Sequence, residues 1–137
     1  MNQTLNGSCL CGAVQYQVSG PFKVFQYCHC SRCRKFTGSA HSANAIVARE
    51  QLTWLSGEEN IGSYNLPNAK YFATCFCRVC GSSLPWLEQS GRNIIIPAGT
   101  LDTDPGVKPN QSLFWSSRAG WYKSVDELPR YDSFPGK

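Results

Sequence analysis

The sequence predicts a mainly β domain made of many short strands. Apolar and polar residues alternate in short runs, as where Val14, Tyr16 and Val18 are separated by Gln15 and Gln17. Turn-forming residues punctuate those runs at Ser56-Gly57, Pro67-Asn68, Ser90-Gly91 and Asp104-Pro105-Gly106. A period of two puts alternate side chains on one face of an extended chain, and Gly, Pro, Asn and Asp supply the dihedrals that reverse it. The eight cysteines of the 137-residue chain fall in close groups, which points to metal rather than to cross-links.

Taken in order, residues 13–18, AVQYQV, predict the first strand, ended by Ser19-Gly20-Pro21. FKVFQY over 22–27 runs into the cysteine triplet CHCSRC. Further strands are expected in AHSANAIVA (40–48), QLTWLS (51–56), KYFATCFC (70–77), SSLPWLE (82–88) and RNIIIPA (92–98), all rich in β-branched or aromatic residues. Two helical pieces are expected. CSRCRKFTG begins near Cys30 and stops at Gly38, where glycine takes the left-handed conformation that ends a helix. SVDEL carries Ser124 as N-cap and Glu127 three residues on, a capping box cut short by Pro129. Trp54, Trp86, Trp115 and Trp121 are assigned to the sheet interior.

The length suits one domain, 1–137, with a core of its own. No run of eighteen apolar residues occurs, and MNQTLNGSCL lacks the basic cluster and apolar stretch of a secretory signal, so a soluble cytoplasmic protein with no membrane association is expected. Cytosolic thiols stay reduced, which argues against four disulfides. The formal charge of +4 gives little support to nucleic-acid binding: two zinc ions on seven thiolates add seven negative and four positive charges and leave +1, and the basic residues are scattered. With two histidines and no Gly-x-Ser-x-Gly elbow, a serine-hydrolase triad has no support, and neither a phosphate loop nor a dinucleotide fingerprint is present.

Zinc takes soft thiolates in a tetrahedron; four protein ligands close the site, and three leave a position open. Cys9 and Cys11 are two apart, so an extended chain turns both sulfurs to one side. Cys77 and Cys80, followed by Gly81, form a knuckle turn. Together these pairs make a four-thiolate site. Cys28, Cys30 and Cys33 remain as an open three-thiolate site, with Cys30 and Cys33 at i and i+3 on a helical turn. The spacing also admits an alternative in which each Cys-x-Cys-x-x-Cys triplet borrows one of Cys9 and Cys11, giving two closed cages that include Cys75. Otherwise Cys75 is a buried free thiol. His29 alternates away from Cys28 and Cys30 and reads as a supporting or surface residue; His41 reads as a part-buried, hydrogen-bonded histidine.

GSCLCGAVQYQV, CHCSRCRKFTGSA, FCRVCGSSL, PAGTLD and SSRAGWYKSVDELPRYDSFP, in that order along nearly the whole chain, resemble the glutathione-dependent formaldehyde-activating enzyme family, which includes the centromere protein V-like proteins. The resemblance implies a β-tent fold of short antiparallel strands with two zinc ions per chain, a structural one on Cys9, Cys11, Cys77 and Cys80 and a catalytic one on Cys28, Cys30 and Cys33. It implies a carbon–sulfur lyase or synthase joining a small thiol such as glutathione to an aldehyde, with S-hydroxymethylglutathione as the founding adduct. Arg32, Arg34 and Lys35 read first as a solvated helix face, and they are also the nearest candidates for the glutathione carboxylates. The chain departs from the family pattern at Cys75, Ser112 and Gly120. The alternative function is a non-catalytic zinc-stabilised β-tent module that binds a protein or nucleic-acid partner.

Overall fold

The computed structural model describes residues 3–136. Its strands are β1 (Thr4–Ser8), β2 (Gln15–Ser19), β3 (Val24–Cys28), β4 (Ser42–Ala48), β5 (Leu52–Ser56), β6 (Ile61–Asn65), β7 (Ala73–Cys77), β8 (Ser83–Leu84), β9 (Trp86–Leu87), β10 (Asn93–Pro97) and β11 (Ser112–Leu113), with one helix, α1 (Ser31–Thr37), between β3 and β4. They form three sheets, ordered β1-β2-β5, β11-β3-β4-β10-β9 and β6-β7-β8. All pairings are antiparallel except β11 with β3. The mainly β expectation holds. No described helix is long and apolar enough to cross a membrane.

The five-stranded sheet has two different faces because its side chains alternate. One face sends Ala45, Val47, Ile94 and Ile96 into the main core, against Leu5, Tyr16 and Val18 of the β1-β2-β5 sheet. Burying each large aliphatic side chain there contributes about 2 kcal/mol. The other face presents Gln26, Cys28, Asn44, Ile46, Trp86 and Ile95 to a cavity. A sheet buried on one side and open on the other is what places a cysteine of β3 at the wall of a pocket.

Three strands are absent from the sequence expectation, β1, β6 and the two-residue β11, and the first two share one packing device. Gly7 of β1 lies directly opposite Tyr16 of β2, and a Cβ built on Gly7 would stand 2.2 Å from the Tyr16 ring. Gly62 of β6 lies opposite Phe76 of β7, where a Cβ would stand 2.4 Å from the ring. In each pair the aromatic ring covers the glycine of its neighbour, and Tyr16, fully buried, anchors its hydroxyl on Thr100 Oγ1 at 2.6 Å.

SSLPWLE is two strands rather than one. Pro85 has no N–H to donate to a ladder, and the chain passes there from the β7 sheet, through β8, to the β10 sheet, through β9. The helical expectation over CSRCRKFTG is met by α1, with Cys30 as N-cap and Gly38 left-handed at φ 65°. SVDEL carries the expected reciprocal cap, Ser124 N–H donating to Glu127 Oε2 at 3.3 Å, but makes only one 3-10 turn. The tryptophans divide. Trp86 is buried and Trp54 half-buried, whereas Trp115 and Trp121 are exposed, because the chain after β11 lies on the surface as short turns instead of entering a sheet.

Candidate metal centres and the adjoining cavity

Cys9 and Cys11 occupy the loop between β1 and β2, and Cys77 and Cys80 the turn that leaves β7. Both are tight turns closed by a left-handed glycine, Gly12 and Gly81, each at φ 79°. In the first, the Val14 N–H points at Cys9 Sγ, 3.3 Å away; in the second, the Val79 N–H points at Cys77 Sγ, 3.4 Å away. Each turn thus offers backbone donors to a negative sulfur, which favours the thiolate. The turns are tied together by the Leu10 N–H donating to Ser82 Oγ at 2.9 Å. Ser82 Oγ stands 3.2 Å from Cys80 Sγ, and its hydrogen bond, with that of the Ser82 backbone, brings the Cys80 thiol down to about 5.

All four sulfurs lie within 4.8 Å of one another. Cys9 and Cys11 are 3.7 Å apart, Cys11 and Cys77 3.9 Å. Sulfurs at 2.3 Å from a central ion at tetrahedral angles are about 3.8 Å apart, so this donor set fits a zinc-sized cage.

Cys28 ends β3, Cys30 caps α1 and Cys33 sits in the helix's first turn. Their sulfurs also lie within 4.8 Å of one another, and no fourth Cys, His, Asp or Glu among the described residues joins them. The Cys33 N–H points at Cys30 Sγ, 3.4 Å away. The hydrogen bond from Cys33 brings the Cys28 thiol down to about 6 against the opposing effect of burial. Cys33, the donor of that bond and itself buried, is pushed up. A thiol shifted down beside one shifted up means that this pair gives up its first proton more readily than its second.

The three-cysteine cluster opens on a cavity of about 500 Å³. Arg32 and Lys70 lie on its wall together with Glu88, whose carboxylate accepts from Ser90 Oγ at 2.6 Å and Asn93 Nδ2 at 2.9 Å. Its apolar lining includes Ile46, Phe72, Trp86, Ile95 and Phe114. Phe114 has a left-handed backbone, φ 54° and ψ 42°, which for a bulky residue costs roughly 1–3 kcal/mol.

Of the basic residues near the triplet, Arg32 lines the cavity and Arg34 and Lys35 do not. Lys70, Trp86, Glu88 and Phe114 gave no local signal as site residues; folding gathers them from the β6–β7 loop, β9 and the segment after β11. The Cys9/Cys11 pair stays whole, so the sequence alternative that divides it between two cages is not the arrangement adopted. Cys75 belongs to neither cluster: it lies in β7 beside Leu84 and Trp86, and burial pushes its thiol up to about 11. His29 is not on the surface. It is fully buried in a box of His41, Trp115 and Tyr122, with ring centroids 5.0, 5.1 and 5.3 Å away, and its desolvation there, aided by His41 and Arg118, lowers its pKa. His41 is part-buried as expected, stacked on Tyr27 at 4.3 Å with Nδ1 3.0 Å from the Ser42 carbonyl.

Fold and site together define a small three-sheet β protein with two thiol clusters able to hold metal ions, one with four sulfurs and one with three at the wall of a pocket. The chain belongs to the glutathione-dependent formaldehyde-activating enzyme family, whose model matches residues 4–117. A Halomonas elongata protein named "Putative glutathione-dependent formaldehyde-activating enzyme" is 29% identical over 127 residues, covering 85% of this chain and 78% of that one. A Schizosaccharomyces pombe protein named as an uncharacterized lyase is 28% identical over 87 residues, 64% of this chain and 60% of its own length. A crystal structure of a Rhodobacter sphaeroides protein superposes with a TM-score of 0.61 at 26% identity, covering 76% of this chain and 97% of the other.

Proposed function

We propose that this chain, acting as a single domain over 1–137, is a zinc-dependent carbon–sulfur lyase or synthase that makes and breaks the bond between glutathione and an aldehyde, as in S-hydroxymethylglutathione. The observation that carries the reading is the three-sulfur cluster without a fourth protein ligand, set in the wall of a pocket. The four-sulfur group would hold a structural zinc through Cys9, Cys11, Cys77 and Cys80, and Cys28, Cys30 and Cys33 would hold the catalytic one. At the three-cysteine site a bound zinc ion supplies an open coordination position and a positive charge that favours the thiolate form of a thiol.

The chain's own residues supply the rest. Cys28, Cys30 and Cys33 fix the reacting end of the pocket from a strand end and a helix cap, two rigid elements. Arg32 and Lys70 offer two positive charges to the two carboxylates of glutathione, and Glu88 offers a negative charge to its ammonium group. Phe72 and Trp86, packed at 5.3 Å, exclude water from the deeper part. In the reaction the thiol S–H adds across the aldehyde C=O: a carbon–sulfur bond forms and the proton ends on the carbonyl oxygen. The reverse reaction releases both partners.

Magnetisation-transfer NMR on glutathione and formaldehyde at equilibrium with their adduct tests the reading. The zinc-loaded protein is expected to raise the exchange rate in proportion to its concentration, and the Cys30→Ser/Cys33→Ser variant to leave it at the uncatalysed value. Exchange that the protein does not accelerate would refute the proposal.

A further inference from the structure

Two side-chain amides stand together in the pocket wall next to the cysteines. Gln26 of β3 and Asn44 of β4 are directly opposite in the antiparallel register, one step along from the Cys28–Ser42 pair, and Gln26, Asn44 and Cys28 all line the cavity. Opposed residues on one face have Cβ atoms about 5 Å apart, and alternate residues of a strand are about 7 Å apart. Both amides are therefore within reach of a group that reacts at the three-sulfur cluster.

Each amide is tied at one end. Gln26 Oε1 accepts from Gln111 Nε2 at 2.7 Å, which leaves the Gln26 NH2 group as its free end. Asn44 Nδ2 donates to Oγ of the buried Ser42 at 3.1 Å, which leaves Asn44 Oδ1 as its free end. Neither free end has a protein partner among the described residues. An amide is planar, so a tie at one corner also directs the other. The wall beside the cysteines thus offers one donor and one acceptor on neighbouring strands. A carbonyl oxygen can use the donor alone, and a hydroxyl can use both.

We propose that Gln26 and Asn44 hold the aldehyde oxygen at this site, Gln26 Nε2 donating to it throughout and Asn44 Oδ1 accepting from it once it is a hydroxyl. This rests on the thiol–aldehyde reading above and names the residues that act on the aldehyde half of the substrate. In the step, an electron pair of the thiol sulfur forms the carbon–sulfur bond, the C=O π pair moves onto oxygen, and the thiol proton ends on that oxygen. Negative charge grows on the oxygen as the bond forms, so a donor aimed at it stabilises the transition state more than the ground state. Asn44 then accepts from the new O–H. Both amides keep their own protons.

The test titrates two stand-ins into the zinc-loaded protein by calorimetry: S-acetylglutathione, which carries a carbonyl oxygen on the carbon next to sulfur, and S-ethylglutathione, which lacks that oxygen. S-Acetylglutathione is expected to bind about fivefold more tightly, the effect of one neutral hydrogen bond. Gln26→Met keeps the side-chain length and removes the donor; it is expected to abolish the preference while leaving the Kd of S-ethylglutathione unchanged. Asn44→Leu is expected to keep the preference, because a carbonyl has no proton to give. Equal or undetectable binding of the two compounds, or a preference that survives in Gln26→Met, overturns the inference. A loss of affinity shared equally by both compounds would place Gln26 on the tripeptide and overturn it too. The NMR exchange assay with formaldehyde separates the two levels. At saturating glutathione each variant is expected to lower the exchange rate about tenfold or more. Full acceleration in either variant refutes the paired role and leaves the thiol–aldehyde reading intact, whereas no acceleration by the unaltered protein refutes that reading itself.

Discussion

Removing Cys77 and Cys80 together should cost far more stability than removing Cys30 and Cys33. The four-sulfur cluster joins the β1–β2 loop to the end of β7, and Cys11 and Cys77 stand 66 positions apart. Treated as one cross-link, a closed loop of that length removes chain entropy equivalent to about 4 kcal/mol. Cys28 to Cys33 closes only a local turn, for which the same relation gives about 2 kcal/mol. With an unfolding entropy near 2.1 cal/mol/K per residue over this chain, the two losses correspond to Tm decreases of about 15 °C and about 8 °C. The assay is differential scanning calorimetry of zinc-loaded Cys77→Ser/Cys80→Ser and Cys30→Ser/Cys33→Ser beside the unaltered protein. Equal decreases, or a larger one for the local cluster, would refute the assignment of the first cluster as the long-range clamp.

Gly57→Ala should destabilise by about 3 kcal/mol in urea unfolding, since Gly57 has φ 82° and a Cβ there would stand 1.9 Å from the Ala13 carbonyl oxygen; a change under 1 kcal/mol would contradict the packing described. Arg32→Ala with Lys70→Ala should raise the KM for glutathione three- to tenfold with kcat little changed, consistent with exposed charge pairs of about 1 kcal/mol, and salt should narrow the difference; no change in KM would remove both from the binding site. In the metal-free protein, stability should rise from pH 6 to pH 9 and fall above it. Cys28, lowered from 9.0 to about 6, is ionised in the fold while the unfolded thiol still holds its proton, so its contribution is fully present above pH 9 and is lost as pH falls through 6. Cys33 is raised, so its contribution is present below pH 9 and is lost as pH rises. Urea midpoints across that range would show it, and a midpoint that falls steadily from pH 6 to pH 9 would contradict it.

The strands that carry alternating bulky residues were legible in the sequence, and so was the helical turn between Cys30 and Gly38. β1 and β6 were not, because their inward positions include Gly7 and Gly62, whose burial is supplied by rings on the neighbouring strands. Taken alone, TLNGS and IGSYN show only weak strand formers. The cysteine groups were legible because metal ligation fixes their spacing, although only the fold keeps Cys9 with Cys11 and leaves Cys75 outside both clusters. The pocket was not legible. Lys70, Trp86 and Phe114 come from three separate segments: the register of β4, β10 and β9 places Trp86, the short parallel pairing of β11 with β3 places Phe114, and the loop that leads into β7 places Lys70. The surface position of Trp115 and Trp121 follows from the shortness of β11: it is two residues long, and no strand follows it among the described residues.

Whether the protein holds one closed and one open thiolate centre is read from cobalt substitution, because sulfur-to-cobalt absorption reports the number of thiolates at each ion. Two cobalt ions per chain are expected and, on titration with glutathione, new sulfur-to-cobalt intensity that saturates at one thiol per chain. A spectrum that shows two four-thiolate centres before glutathione is added, and does not change afterwards, would contradict it.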